Sequence, residues 1–147
     1  MPEQETLERA EEDRREGKAP TTQAGEFVRE EIHHVREGKH GARSTKQAIA
    51  IGLSKARRAG VPLPPPTTGD TEMREKAAQD YRKGQSGTRR KPSPTRARAT
   101  RRALKREGRR AASPKALARQ ARTSGSARRG GQSRRRTSRT RRNGRKK

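Results

Sequence analysis

The chain has 147 residues, a length typical of one domain, but its composition argues against a large fold. Leu, Ile, Val and Phe together number 12, and 41 Lys and Arg oppose 16 Asp and Glu, which gives a net charge of +25. So few large apolar side chains bury little area, and that burial must offset the entropy cost of ordering the chain. A large enzyme fold is therefore excluded, and we expect no enzymatic activity.

Further classes of protein are excluded by what the sequence lacks. Cysteine is absent, which removes disulfides, thiolate zinc sites and cysteine nucleophiles. No apolar run approaches the ~18–20 residues that span a membrane, and the acidic N-terminus is unlike a secretory signal. We therefore expect an intracellular protein with no membrane partner and no cofactor.

Charge and apolar residues divide the chain in opposite ways. Residues 1–85 contain 16 basic and 15 acidic side chains, whereas residues 86–147 contain 25 basic side chains and one acid, Glu107. Nine of the 12 large apolar residues lie within residues 22–65. Because a highly charged segment with little apolar area cannot form a core, we predict a small all-α fold. It consists of a two-helix hairpin and a long, mostly disordered Arg-rich C-terminal tail.

The first two segments in chain order are a leader and the hairpin. Residues 1–21 are a charged leader that we expect to form a frayed helix, because Leu7 is its only large apolar residue. Residues 22–65 are the hairpin domain. Its first helix, over about residues 25–37, is predicted by Val28, Ile32 and Val35 at helical spacing.

The second helix of the hairpin has clear start and stop signals. Ser44 followed by Gln47 is typical of a capping box, and Gly60 and Pro62 end the helix. Ile49, Leu53 and Ala56 form its apolar stripe. Ala48 and Gly52 lie beside the stripe and would let another helix approach closely. Residues 38–43 join the two helices, and the hairpin could also form a homodimer.

The remaining residues are a spacer and the tail. Residues 66–85 begin with proline, which excludes a helix there, and then include a possible short helix over residues 71–83. Residues 86–147 form the polycationic tail. Two stretches in it, beginning at Ser93-Pro94 and Ser113-Pro114, have the Ser-Pro order of helix starts. They could become helical on a partner.

One segment resembles an uncharacterised family of short basic bacterial proteins, a domain of unknown function. The resemblance lies in K-H-G at residues 39–41 and S-x-K-Q-A-I-A-I-x-L-S-x-A-R-x-A-G at residues 44–60. It covers about residues 25–65, with looser similarity at residues 103–108 and 113–121. The resemblance implies a bacterial, cytoplasmic protein and carries no activity with it.

The tail predicts a polyanionic partner. Neutralising phosphates releases condensed counterions, which gives affinity without sequence preference, and Arg, which outnumbers Lys 30 to 11, suits bidentate phosphate contact. The predicted nucleic-acid-binding residues in the tail are Arg89, Arg90, Lys91, Arg101, Arg102, Lys105, Arg106, Arg109, Arg110, Arg128, Arg129, Arg134, Arg135, Arg136, Arg141 and Arg142.

The loop between the hairpin helices is a further candidate site. Lys39, His40, Arg43 and Lys46 surround the N-terminus of the second helix, where unpaired N–H groups and the helix dipole favour an anion. Gly41 would let the backbone approach a phosphate. The alternative, which we favour, is a capped helix start with incidental cations.

These features favour non-sequence-specific binding of nucleic acid by a nucleoid-associated or histone-like protein of the bacterial cytoplasm. The tail has no aromatic residue, although readers of single strands use aromatic stacking. This argues against an RNA-recognition module and leaves backbone binding to any nucleic acid. We favour duplex DNA because of its abundance in a cell and its charge density, and keep RNA as possible. The alternatives are a ribosome-associated or RNA-associated basic protein and a protein-interaction adaptor with a charged tail.

Three histidines suggest a metal site. Glu30, Glu31 and Glu37 lie near His33, His34 and His40 in the sequence. However, adjacent residues on a helix point about 100° apart, so His33 and His34 do not easily share one ion. No cysteine exists to complete a site. We therefore predict solvated histidines and no metal site.

Overall fold

The computed structural model describes residues 1–87, 91 and 93–127, and this part is helical. It divides into two units, the first Met1–Ala112 and the second beginning at Ser113. The helices of the first unit are α1 (Gln4–Arg15), α2 (Pro20–Glu37), α3 (Thr45–Arg58), α4 (Thr71–Gln85) and α5 (Pro94–Lys105), followed by the 3₁₀ turn η1 (Arg110–Ala112). Helix α6, residues 114–127, belongs to the second unit.

The predicted fold class, a two-helix hairpin with a mostly disordered tail, is wrong. The hairpin exists as α2 and α3, but α1 packs on α2 and α4 packs on α3. Helices α5 and α6 and the turn η1 lie within the segment predicted to be disordered. The prediction failed because it counted large apolar residues, whereas the additional packing buries alanines. These are Ala10, Ala77, Ala111 and Ala112.

The hairpin depends on a close approach of α2 and α3, as the small residues of α3 predicted. Ala48 and Ala56 are fully buried. A Cβ atom on Gly52 would stand 2.6 Å from the Cα of Val28, so only glycine allows this contact. The start of α3 also agrees with the sequence prediction, since the N–H of Gln47 donates to the Ser44 hydroxyl.

The core lies where α1, α2 and α3 meet the chain that follows α3. Phe27 and Ala24 of α2 and Ala56 of α3 pack there together with Val61 and Leu63. Hydrogen bonds from the Arg57 guanidinium to the carbonyls of Leu63 and Pro64, 3.3 and 3.4 Å long, hold the returning chain in place.

Helix α1 is attached to α2 by polar contacts as well as by the buried Ala10. The N–H of Glu3 donates to the Glu30 carboxylate over 3.1 Å, and the Glu3 carboxylate lies 2.9 Å from the ring Nε2 of His34. Hydrogen bonds with His34 and Lys39 lower the pKa of Glu3 to about 2. Glu3 is therefore ionised at neutral pH and can only accept hydrogen bonds.

Helix α4 is held to α3 by a buried carboxylate. Asp80 is 1% exposed and accepts hydrogen bonds from the Ser54 hydroxyl at 2.6 Å and from Nε of Arg58 at 2.9 Å. Burial would raise the pKa of Asp80, but these hydrogen bonds and the charges of Arg58 and Lys76 outweigh it and lower the pKa. The carboxylate is therefore charged and fully engaged in the fold.

Candidate nucleic-acid interface

Helix α5 is the most cationic ordered element in the described part of the first unit. It has five basic side chains, no acidic one and no buried residue. Arg98, Arg101, Arg102 and Lys105 recur at i, i+3, i+4 and i+7, so they form one stripe along the helix. Within the described residues, α5 packs against no other helix, and its side chains form no ion pair.

The C-terminal end of α5 is attached to the α2–α3 loop through the backbone. The N–H of Gly41 donates to the carbonyl of Leu104 over 2.8 Å, and the N–H of Ala42 donates to that of Gly108 over 3.1 Å. A Cβ atom on Gly41 would stand 1.9 Å from the carbonyl oxygen of Glu107. Gly41 therefore allows a close backbone approach, but the neighbour is the protein's own chain.

The turn η1 continues this attachment. Ala111 and Ala112 are 7% and 0% exposed, and η1 packs against both α2 and α3. The Thr45 hydroxyl donates to the carbonyl of Ala111 over 2.6 Å, and Nε of Arg36 donates to that of Ala112 over 2.9 Å. Consequently α5 is joined to the folded unit at one end while its length stays exposed.

The predicted loop residues have differing environments. Lys39 forms ion pairs with Glu3 at 3.0 Å and Glu37 at 3.2 Å, and His40 is half-buried. Arg43 and Lys46 are exposed, and their side chains contact no acid in the described chain. The N–H groups of Gly41 and Ala42 donate to backbone carbonyls and that of Gln47 donates to Ser44, so these three donors are already used. Phosphate contact by these four side chains stays a prediction.

The predicted tail residues fall into two groups. Lys91, Arg101, Arg102, Lys105, Arg106, Arg109 and Arg110 are described and exposed. Arg89, Arg90, Arg128, Arg129, Arg134, Arg135, Arg136, Arg141 and Arg142 lie outside the described residues, so their role remains a prediction.

Helix α6 repeats the chemistry of α5 in the second unit. Its first turn is capped by Ser113, whose hydroxyl accepts from the N–H of Ala116 at 3.2 Å. It carries Lys115, Arg119 and Arg122 and no acid. The helix passes through Gly125 and continues to residue 127. Glycine weakens a helix but does not by itself end one.

The structure also brings together a set of metal-ligating side chains. Glu31 and His34 of α2 and His40 of the loop each offer one ligand atom, and these atoms lie within 4.8 Å of one another. Of the three histidines expected to be solvated, His33 is exposed, but His34 is buried and His40 is half-buried. Sequence reasoning missed the cluster because the loop, not helical periodicity, places His40 beside His34.

Comparison with known proteins gives no activity. Residues 6–67 match a family described as "Family of unknown function (DUF6496)", so the chain is similar to an uncharacterised domain that includes most of α1 as well as the hairpin. No curated protein and no solved structure matches. No helix of the described residues is long and apolar enough to cross a membrane.

Proposed function

We propose that the protein binds nucleic acid without sequence preference, with duplex DNA as the favoured partner, as a nucleoid-associated or histone-like protein of the bacterial cytoplasm. The observation that carries the proposal is the basic stripe of α5, which is exposed along its length and unpaired within the described chain. The proposal that the protein is bacterial rests on the sequence resemblance at residues 39–60 alone.

Electrostatics support a polyanion as the partner of α5. Like charges at i and i+4 repel one another along a helix, so phosphates that neutralise the stripe would remove a destabilising interaction. Some basic residues of the other helices are instead engaged by acids of the fold. Lys55 pairs with Glu30 and Glu31, and Arg58 pairs with Asp80.

Geometry favours DNA over double-stranded RNA. The 12 residues of α5 extend over roughly 18 Å at 1.5 Å per residue, and the major groove of B-DNA, about 12 Å wide, admits an α-helix. The deep, narrow major groove of A-form RNA does not. An unattached side of α5 can therefore enter a DNA groove while η1 holds the helix to the folded unit.

The test is the salt dependence of binding by the full chain. Replacing Arg98, Arg102 and Lys105 by Gln should reduce the slope of log K against log salt by about 2–3, because each lost phosphate contact changes it by about 0.9. The reduction should be equal for unrelated DNA sequences, because phosphate contacts carry no base information.

The matched control removes the same charge from elsewhere. Arg29, Arg82 and Lys83 are exposed and form no ion pair within the described chain, so replacing all three by Gln should change the slope by less than about 1. Equal slopes for both triple variants would mean that α5 has no special role. Tenfold tighter binding of double-stranded RNA than of DNA would favour the RNA-associated alternative.

A further inference from the structure

The buried cluster of Glu31, His34 and His40 leads beyond nucleic-acid binding. Glu31 is 1% exposed, a position where a carboxylate is costly unless it is paired. Its Oε1 lies 2.8 Å from Nε2 of His40, and its Oε2 lies 2.7 Å from Nζ of Lys55. Yet neither oxygen receives an aligned hydrogen bond from any described group. This buried carboxylate therefore has ion partners but no aligned hydrogen bond within the described chain.

The hydrogen bonds of His40 leave one nitrogen lone pair directed at the cluster. Nδ1 of His40 lies 3.0 Å from the carbonyl oxygen of Gly41, and a carbonyl can only accept, so Nδ1 carries the proton. In the neutral ring, Nε2 then has a lone pair that faces Oε1 of Glu31. In that tautomer two lone pairs face each other at 2.8 Å, and a metal ion bound by both atoms would relieve their repulsion.

His34 also has a hydrogen-bond acceptor beside one of its ring nitrogens. Its Nε2 lies 2.9 Å from Oε1 of Glu3, which can accept a hydrogen bond from the ring N–H. Nε2 therefore donates and, in the neutral ring, Nδ1 keeps its lone pair. Histidines that bind metals almost always donate their other ring N–H to a carboxylate or a backbone carbonyl. Here Glu3 supplies the carboxylate for His34, and Gly41 supplies the backbone carbonyl for His40.

A proton shared between His40 and Glu31 would be poorly aligned in this geometry. A proton on Nε2 of His40 would require Glu31 Oε1 along the N–H axis, but the two atoms form no aligned hydrogen bond. An Oε1 atom that lies beside the N–H axis is instead placed as a second ligand of a metal ion that Nε2 also binds. Zn²⁺ binds imidazole nitrogen at about 2.0–2.1 Å and carboxylate oxygen at about 2.0–2.2 Å, so ligand atoms within 4.8 Å need only small movements.

The charge of the network also favours a cation. Ion pairs around the cluster connect four carboxylates and two lysines. They are Glu3, Glu30, Glu31, Glu37, Lys39 and Lys55. With neutral histidines these groups have a net charge of −2, which one divalent ion neutralises. Lys55 remains paired with Oε2 of Glu31, so Oε1 is the oxygen that binds the ion.

We propose that Glu31, His34 and His40 bind one divalent transition-metal ion of the Zn²⁺ type, with Glu3 and Gly41 orienting the two imidazole rings. Two imidazoles and one carboxylate suit Zn²⁺ and exclude ions that demand oxygen ligands alone. The bound ion would connect α2 to the loop that carries the end of α5. This role is independent of the proposed nucleic-acid binding.

The experiment is calorimetric titration of Zn²⁺ into the untagged, nucleic-acid-free full chain. We expect one saturable site with a Kd below about 10 μM and a rise in melting temperature with free Zn²⁺. Co²⁺ should give the visible absorption of a four-coordinate ion. Because the chain has no cysteine, a thiol site cannot produce these signals.

Variants separate the cluster from other binding. His40→Gln and Glu31→Gln should weaken Zn²⁺ binding at least tenfold, whereas His33→Gln is the matched control and should change it less than twofold. The His33 side chain is 66% exposed and pairs with Glu37 outside the cluster. Circular dichroism checks that each variant is helical. If Glu31→Gln unfolds, the Zn²⁺ affinity of the loop variant His40→Gln decides the test.

The outcomes that overturn the proposal are a Kd weaker than about 100 μM, or an equal loss of affinity in His33→Gln and His40→Gln. The positioning role of Glu3 has its own readout. Glu3→Gln should lower affinity 10–100-fold, the range for residues that orient ligands, and should leave the one-to-one stoichiometry unchanged. A Glu3→Gln variant with unaltered affinity would remove Glu3 from the site.

Discussion

Helices α3 and α5 are both rich in basic residues but use them in opposite ways. In α3, Lys55 and Arg58 each pair with a buried carboxylate, Glu31 and Asp80 respectively. Within the described chain no acid contacts the basic side chains of α5. The same residue types therefore stabilise the fold in one helix and remain available to a partner in the other.

This difference shows that pairing, not composition, separates structural cations from functional ones. A buried pair must be kept complete, because removing one partner leaves an uncompensated charge. The exposed charges of α5 contribute little to stability but set the field that attracts a polyanion. We therefore expect substitutions in α1–α4 to change stability and substitutions in α5 to change binding.

The largest expected effect is on the α2–α3 contact. Gly52→Ala should destabilise the chain by about 1–3 kcal/mol, because the new Cβ would stand 2.6 Å from the Cα of Val28 and the helices would have to move apart. Chemical denaturation measures the free energy of unfolding. At low salt the variant should still bind DNA, since its charge is unchanged.

Gly25→Ala is the control for this prediction. Gly25 lies in α2, and a Cβ atom there meets nothing within 4 Å. The substitution should stabilise the chain by about 0.5–1 kcal/mol, the usual gain from replacing a helical glycine. If Gly52→Ala is as stable as Gly25→Ala, the close approach of the two helices is incorrect.

The sequence predicted α3 well because its signals are local. The Ser44 cap, the small residues and the stop after Arg58 all lie within the helix or next to it, and the helix ends where they indicate. The reciprocal half of the capping box differs by one residue, since the Gln47 side chain accepts from the N–H of Arg43 at 2.7 Å. Helix α2 was predicted to start at residue 25, but Pro20 begins it.

The additional packing could not be predicted because its signals are distant in sequence. Ala111 and Ala112 become buried only when the chain returns to α2 and α3, more than 60 residues after Thr45. Alanine pairs in an Arg-rich segment give no apolar periodicity that would indicate this. The metal-ligating cluster shares the difficulty, since the loop that places His40 contacts the distant residue Glu107 at Gly41.

An intermediate effect is expected at the junction of the two regions. Gly41→Ala would place a Cβ atom 1.9 Å from the Glu107 carbonyl oxygen, so α5 and η1 should separate from the loop. Two backbone hydrogen bonds, from Gly41 and Ala42, would be lost, at about 0.5–1.5 kcal/mol each. Hydrogen exchange should show faster exchange of these two amides, with the amides of α2 and α3 still protected.

The control for the junction is Gly108→Ala. Gly108 lies in the same segment, but a Cβ atom there meets nothing within 4 Å. The Gly41 and Ala42 amides should keep their protection in this variant. Loss of protection in both variants would show that the segment is sensitive to any change and that the close approach at Gly41 is not what attaches α5.

The smallest effect compares the first turns of α3 and α5. Both helices follow a serine, but only Ser44 accepts a hydrogen bond from the helix, from the N–H of Gln47 at 3.2 Å, whereas the Ser93 side chain forms no cap bond. Ser44→Ala should therefore cost about 1 kcal/mol, and Ser93→Ala should stay within about 0.5 kcal/mol of the parent. Thermal denaturation gives both values. Equal losses would mean that Ser93 caps α5 in solution, and α5 would then be better ordered in the free protein than its contacts indicate.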